Sequence, residues 1–180
     1  MVSITKKIER TGDKMIRAVI SGILTGSMIL GSAYVLPAAA EKAEQDRFIE
    51  QELHCLALNI YFETRAVSMA DAMAVSDVVQ NRVESHRYPD TACDVVYDGG
   101  ETKRHKCQFS WYCDGKADVP KNSEAWERAR KFARDFYVHG MYRGITEGST
   151  HYHASYVKPY WAPTLDRVTR IGSHIFYRRK

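Results

Sequence analysis

The 180-residue chain has little net charge. Its formal charge is +4, and the first seventeen residues supply +3 of that through Lys6, Lys7, Arg10, Lys14 and Arg17 against Glu9 and Asp13. The nearly neutral remainder argues against a dedicated nucleic-acid binder, because such proteins present a basic face. Several chemistry-bearing motifs are missing as well. No P-loop, G-x-G-x-x-G, G-x-S-x-G or H-E-x-x-H run is present, so no phosphate cradle, nucleophile elbow or helical zinc pair is indicated. No internal repeat or low-complexity tract appears, and the stretch 69–85 has neither Gly nor Pro.

Charge is absent altogether from residues 18–36. A basic segment precedes this apolar run and Pro37-Ala38-Ala39-Ala40 follows it, which is the layout of an export signal with a small-residue cleavage site. Cleavage after Ala40 would start the mature chain at Glu41. The run is long for a signal peptide and about long enough to span a bilayer, yet it is rich in Gly, Ser and Ala. Three readings stay open: a cleaved signal, a retained inner-membrane anchor, or a weak anchor that later releases. Each places the rest of the chain in the periplasm or cell wall. The expected organisation is a signal peptide or anchor over 1–40 and one folded domain over 41–180.

Cysteine is absent from that leader, and Cys55, Cys93, Cys107 and Cys113 all lie in the body. An even count in an exported chain fits two disulfides, and four cysteines allow three connectivities. The expected pairing is Cys107–Cys113, closing a short loop, with Cys55–Cys93 tying the first helix to the loop after the second. The rival is a zinc site from Cys107, Cys113, His105 and Cys93, against which stand a spacing other than C-x-x-C and an oxidising compartment.

The stretch around which the domain is organised is 53–65. Leu53, Leu56, Ile60 and Phe62 recur at helical spacing, and the pattern predicts an amphipathic, largely buried helix running from Phe48 through Phe62. Glu41–Arg47 begins that helix or links to it. Glu63 follows Ile60, Tyr61 and Phe62. Apolar surroundings strip hydration from a carboxylate and disfavour its charged form, which suits a general acid near neutral pH. Asn59, one turn earlier, is placed to hydrogen-bond it. The plain alternative is a solvated surface glutamate paired with Arg65.

Downstream, Ser68-Met-Ala-Asp71 is a capping-box pattern and predicts a second helix from Met69 to about Ser85. Residues 86–122 read as one long irregular loop, a kind that is usually functional or cross-linked. It carries Gln108, Ser110, Trp111 and Tyr112, whose aromatics suit a small satellite core or a ligand-binding wall. Ser123 is the expected N-cap of a third helix, with Gly140 beyond its end. Thr150–Ala154 and Ser173–Tyr177 alternate and predict paired strands, and 159–163 a turn. His151 and His153 share one face of the first strand, which suits two metal ligands, with His174 or His105 as the guess for a third. The fold class is therefore α+β, mainly α.

Taken together, Cys55-Leu-Ala-Leu-Asn-Ile-Tyr-Phe-Glu63-Thr-Arg65, Ala74-Val75 with Val78-Val79-Gln-Asn81-Arg82-Val83, and Cys107-Gln-Phe-Ser-Trp111-Tyr-Cys113-Asp-Gly115 resemble the cell wall hydrolase family of the bacterial spore-cortex-lytic enzymes. Thr150-His-Tyr-His-Ala154, Tyr156-Val157, Pro159-Tyr-Trp161-Ala162 and Ile171-Gly172 with His174-Ile-Phe-Tyr177 extend the likeness over roughly residues 53–178. The family includes exported bacterial and phage-encoded members. The resemblance implies a lysozyme-superfamily-like helical core with a small antiparallel hairpin, and a lytic transglycosylase acting on peptidoglycan glycan strands without a cofactor. It implies that Glu63 is the catalytic acid. Gln108, Ser110, His151 and Tyr152 are candidates for the wall that meets the developing charge and the N-acetyl groups, while Trp111, Tyr112 and Tyr160 are candidates for stacking on sugar faces. The chain departs from the family's Arg-Gly-Glu, reading Arg65-Ala66-Val67, so a second glutamate is absent. Glu147-Gly148-Ser149-Thr150 also differs from the usual Gly-Ala-Thr.

Two further readings compete with this one. A non-catalytic module would bind peptidoglycan in the same cleft. A metal-dependent amidase or peptidase would be centred on His151 and His153. A monomer is expected, because nothing in the sequence signals an oligomer.

Overall fold

A computed structural model describes residues 38–65, 68–99 and 107–180. The apolar run 18–36, Ala66, Val67 and His105 lie outside them. Four α-helices are present among the described residues: α1 (Ala38–Thr64), α2 (Met69–Glu84), α3 (Ala92–Tyr97) and α4 (Ser123–Tyr137). A three-stranded antiparallel sheet of β1 (His151–Ala154), β2 (Asp166–Ile171) and β3 (His174–Arg178) completes the fold, with β3 in the middle. Residues 42–180 belong to one compact unit.

The apolar periodicity of α1 buries Leu53, Leu56, Leu58 and Ile60. Its N-terminal stretch, from Ala38, is helical too but exposed. The helix ends where Arg65 takes a left-handed φ of 54° and returns its N–H to the Tyr61 carbonyl. At the start of α2, Ser68 accepts from the Asp71 N–H at 3.3 Å, as the capping pattern predicts. The interior of α2 is almost wholly buried, from Ala72 to Val79. This helix packs against α3, α4 and β2. Ala74 and Val78 meet Phe176 of β3, with Ile145, Tyr152 and Ile171 around them.

Three expectations need correction. The segment 86–122 is not one irregular loop, because Thr91 caps the six-residue helix α3, its side chain accepting from the Asp94 N–H. The buried Glu52 carboxylate of α1 also accepts from the Ala92 and Cys93 N–H groups at 2.7 and 3.2 Å, adding a favourable charge at that helix start. The cap of α4 is Asn122, one residue before Ser123, with its side chain accepting from the Ala125 N–H. The strand β2 lies beyond the foreseen turn at 159–163, where no element was expected. Its exposed Arg167 and Arg170, and a register irregularity between Arg167 and Thr169, blur the period-2 pattern.

The strands read from Thr150–Ala154 and Ser173–Tyr177 pair as expected, Tyr152 opposite Phe176. Cys55–Cys93 joins α1 to α3, and Cys107–Cys113 closes a short loop. Among the described residues no helix is long and apolar enough to cross a membrane.

Candidate active site

Glu63 is the penultimate residue of α1, held at the helix end and only partly exposed. The hydroxyl of Tyr152, on β1, donates to Glu63 Oε2 at 3.0 Å. Burial raises the carboxyl group's proton affinity above its ordinary value. The Tyr152 hydrogen bond and the charges of His174 and Arg82 pull the other way without cancelling the rise. Burial, followed by the nearby Glu63 charge, pushes the Tyr152 phenol well above its usual range. Tyr152 is thus a fixed neutral donor, and Glu63 is a carboxyl group that keeps its proton to higher pH than a solvated one.

Helix α2 supplies the framework that brings β1 to α1. The Asp77 carboxylate accepts from the N–H groups of Gly144 and Thr146, at 2.7 and 2.9 Å, and from the Thr146 hydroxyl at 2.6 Å. One turn later, Asn81 Nδ2 donates to Thr146 Oγ1 and to the Ser149 carbonyl. Arg82 Nε donates to the Thr150 carbonyl at 2.9 Å. These anchors fix the 144–150 segment, and with it the start of β1. The Arg82 guanidinium is buried, lies over the Tyr88 and Phe109 rings at 5.4 and 5.2 Å, and leaves Nη1 without a protein partner. At the other end of α2, Asp71 accepts from His174 Nδ1 at 2.9 Å and from the Ser173 N–H and hydroxyl at 3.0 and 3.1 Å.

The residues singled out from the sequence have different fates. Asn59 does not bond Glu63. It is fully buried, its Oδ1 accepts from Trp111 Nε1 at 3.1 Å, and its Nδ2 has no partner. Trp111 is only 7% exposed and stacks on Phe62 at 4.8 Å, so one ring face is already covered. Asn59 and Trp111 thereby brace the end of α1 from below. Tyr112 is half-buried against Tyr97. Gln108 is exposed, its Nε2 donating to Asp98 Oδ2 and its N–H to the Asp98 carbonyl, while Ser110 is exposed beside it. Tyr160, at 93% exposed, stands out in solvent.

His151 and His153 both lie against Trp161, at 5.8 and 5.6 Å. Burial, then the charges of Arg82 and Arg179, lower His151 from an ordinary 6.5 to about 4, so it is neutral at pH 7. His153 Nδ1 faces the Ala154 carbonyl, which can only accept, so Nδ1 donates and Nε2 accepts from the Tyr177 hydroxyl at 3.0 Å. Among the described residues no three His, Cys, Asp or Glu side chains are grouped to hold a metal. Both cysteine pairs are disulfides, so the donor set for the zinc and amidase readings is not assembled there.

A groove of about 460 Å³ adjoins the end of α1, lined by Phe62, Arg65, Trp111 and residues of the 114–121 segment. Glu63 is not part of its wall. The contacts of Arg82 with Thr150 and of Asp71 with His174 were not foreseen from the sequence, where Asp71 stood only in a capping box and His174 only as a guessed metal ligand. The one signal for Arg82 was its place beside the apolar Val78, Val79 and Val83, where a charged residue needs a partner.

Comparison with known families matches residues 68–177 to the profile described as cell wall hydrolase. The match begins at Ser68, beyond Glu63, so the role of that glutamate rests on the motif around it and on the geometry above. Among solved structures, the catalytic domain of the germination-specific lytic transglycosylase SleB from Bacillus anthracis is similar at 25% identity and a TM-score of 0.55, covering 71% of this chain and 93% of that one. The catalytic domain of the Bacillus cereus SleB protein is similar in fold at 22% identity and a TM-score of 0.51, covering 72% and 91%. A comparison with curated proteins finds no match.

Proposed function

The chain belongs to the cell wall hydrolase family and is an enzyme of peptidoglycan breakdown, and from that premise we propose that it is a lytic transglycosylase with Glu63 as its single acid and base. The observation that carries this reading is the setting of Glu63. A carboxyl group with raised proton affinity follows the groove-lining Phe62 in the chain and is aimed by a neutral phenol 3.0 Å away. Protonated Glu63 donates to the glycosidic oxygen between N-acetylmuramic acid and N-acetylglucosamine. The carboxylate then takes the proton of the muramyl 6-hydroxyl, whose oxygen closes on C1 as a 1,6-anhydro ring. That route needs no water and no second carboxylate, unlike the two-carboxylate glycosidases.

The surroundings of Glu63 support the single-carboxylate route. The motif position of a second glutamate is Val67, and the Asp71 carboxylate is engaged by His174 and Ser173. The buried Arg82 guanidinium and the Tyr152 hydroxyl are fixed dipole and charge near the reacting centre, and preorganised groups of this kind stabilise developing charge most effectively. The groove beside Phe62 and Arg65 suits a glycan strand, with Gln108, Ser110, Tyr112, His151 and Tyr160 as further candidate contacts. In this reading residues 1–40 export the domain to the periplasm or cell wall, either cleaved as a signal or retained as an inner-membrane anchor.

Mass spectrometry of purified sacculi after digestion tests the proposal. Anhydro-muropeptides are expected from the wild type and none from Glu63→Gln. Cleaved stem peptides, or equal release by both proteins, would overturn it.

A further inference from the structure

The Asp71–His174 couple lies behind Glu63, and the reaction just proposed makes no use of it. Asp71 stands in the first turn of α2, and His174 opens β3. An ionised carboxylate only accepts, so His174 Nδ1 carries the proton of their 2.9 Å hydrogen bond. Burial alone would raise the proton affinity of Asp71. The donors His174 and Ser173 outweigh it and hold the carboxyl group below the ordinary aspartate range. The backbone is shaped for this approach. Gly172, between β2 and β3, has a φ of +54°, and a Cβ there would run into the Asp71 carboxylate. Withdrawing such a pair from water costs free energy that an apolar contact would avoid, so tying a turn to a helix does not account for it.

What the pair touches does account for it. The His174 ring stands edge-on to the Tyr152 ring, centroids 5.3 Å apart, and both pack on Phe176. Tyr152 is the residue whose hydroxyl bonds Glu63. A continuous run of contacts therefore leads from Asp71 through His174 and Tyr152 to Glu63, one residue from each of α2, β3, β1 and α1.

We infer that Asp71 and His174 are a positioning pair for the acid, holding in place the Tyr152 ring and with it the hydroxyl that bonds Glu63. This rests on Glu63 being the acid and base. The groups acting on Glu63 are Tyr152 from β1, His174 from β3 and Arg82 from α2, and Asp71 reaches it only through His174. Once the Tyr152 hydroxyl is loosened, burial is opposed by fewer groups and Glu63 keeps its proton to higher pH.

The test is the pH dependence of kcat and KM on soluble glycan strands for His174→Gln, with Glu63→Gln measured alongside. The amide keeps a donor for Asp71 and removes the ring that stands against Tyr152. The expected result is a kcat about tenfold lower with KM within about twofold, and an alkaline limb moved to higher pH. An equal loss at every pH, with the limb unmoved, marks a merely structural role and overturns the inference. Should His174→Gln not fold, Asp71→Asn is read instead: a fallen kcat at unchanged KM and near-native melting supports the pair, and a wild-type kcat overturns it. An active Glu63→Gln would defeat the reading of Glu63 itself, whereas an inactive Glu63→Gln beside an unaltered His174→Gln defeats only the positioning role.

Discussion

A carboxyl group with raised proton affinity is paid for in stability. The unfolded chain ionises Glu63 at an ordinary pH, while the folded chain resists doing so. Stability therefore falls as pH rises through the unfolded value, and the loss is complete above the folded one. Glu63→Gln should consequently raise the melting temperature at pH 7 by a few degrees, about 1 kcal/mol, while lowering lysis by about a hundredfold or more. Calorimetry at pH 7 and at pH 3.5 checks the sign, since the gain should vanish in acid. His151 works in the opposite sense. Its proton affinity is lowered from 6.5 to about 4, so the unfolded chain takes up a proton first as pH falls, and stability drains between those values. His151→Gln should flatten the decline in melting temperature across that window.

At the scale of elements, α2 is the part on which the others are hung. Asp77→Ala would strand the N–H groups of Gly144 and Thr146, at a cost of about 2–4 kcal/mol, and would loosen β1 from Glu63. Urea unfolding and lysis should therefore fall together. Much of this framework was legible in the sequence. Ser68 and Asp71 announce the start of α2, and the alternation at 150–154 and 173–177 announces β1 and β3. The six residues of α3 are too few to show a period, and β2 is exposed and bulged, so neither was visible. Asn59 misled because its spacing from Glu63 is right, yet Trp111, 52 residues away, takes its carbonyl. The Asp71–His174 bond spans 103 residues, and no local pattern encodes a contact at that range.

Over the whole molecule, the two cross-links fasten the part of the chain that the strands do not reach. Cys55–Cys93 closes a separation of 38 residues, and losing it should cost about 4 kcal/mol on the chain-entropy view. A thiol reductant should therefore lower the denaturation midpoint well below that of the oxidised protein. The proposed acid and the group that aims it also lie far apart in the chain, since Glu63 belongs to the first described helix whereas Tyr152 and His174 belong to β1 and β3. During synthesis, then, the ribosome delivers the dangerous residue long before its steadying partners. A truncation ending before residue 150 should leave sacculi intact, as a turbidity assay would show. On the proposed reading, the blade of this cell wall hydrolase is whetted only once β1 and β3 have been laid against α1.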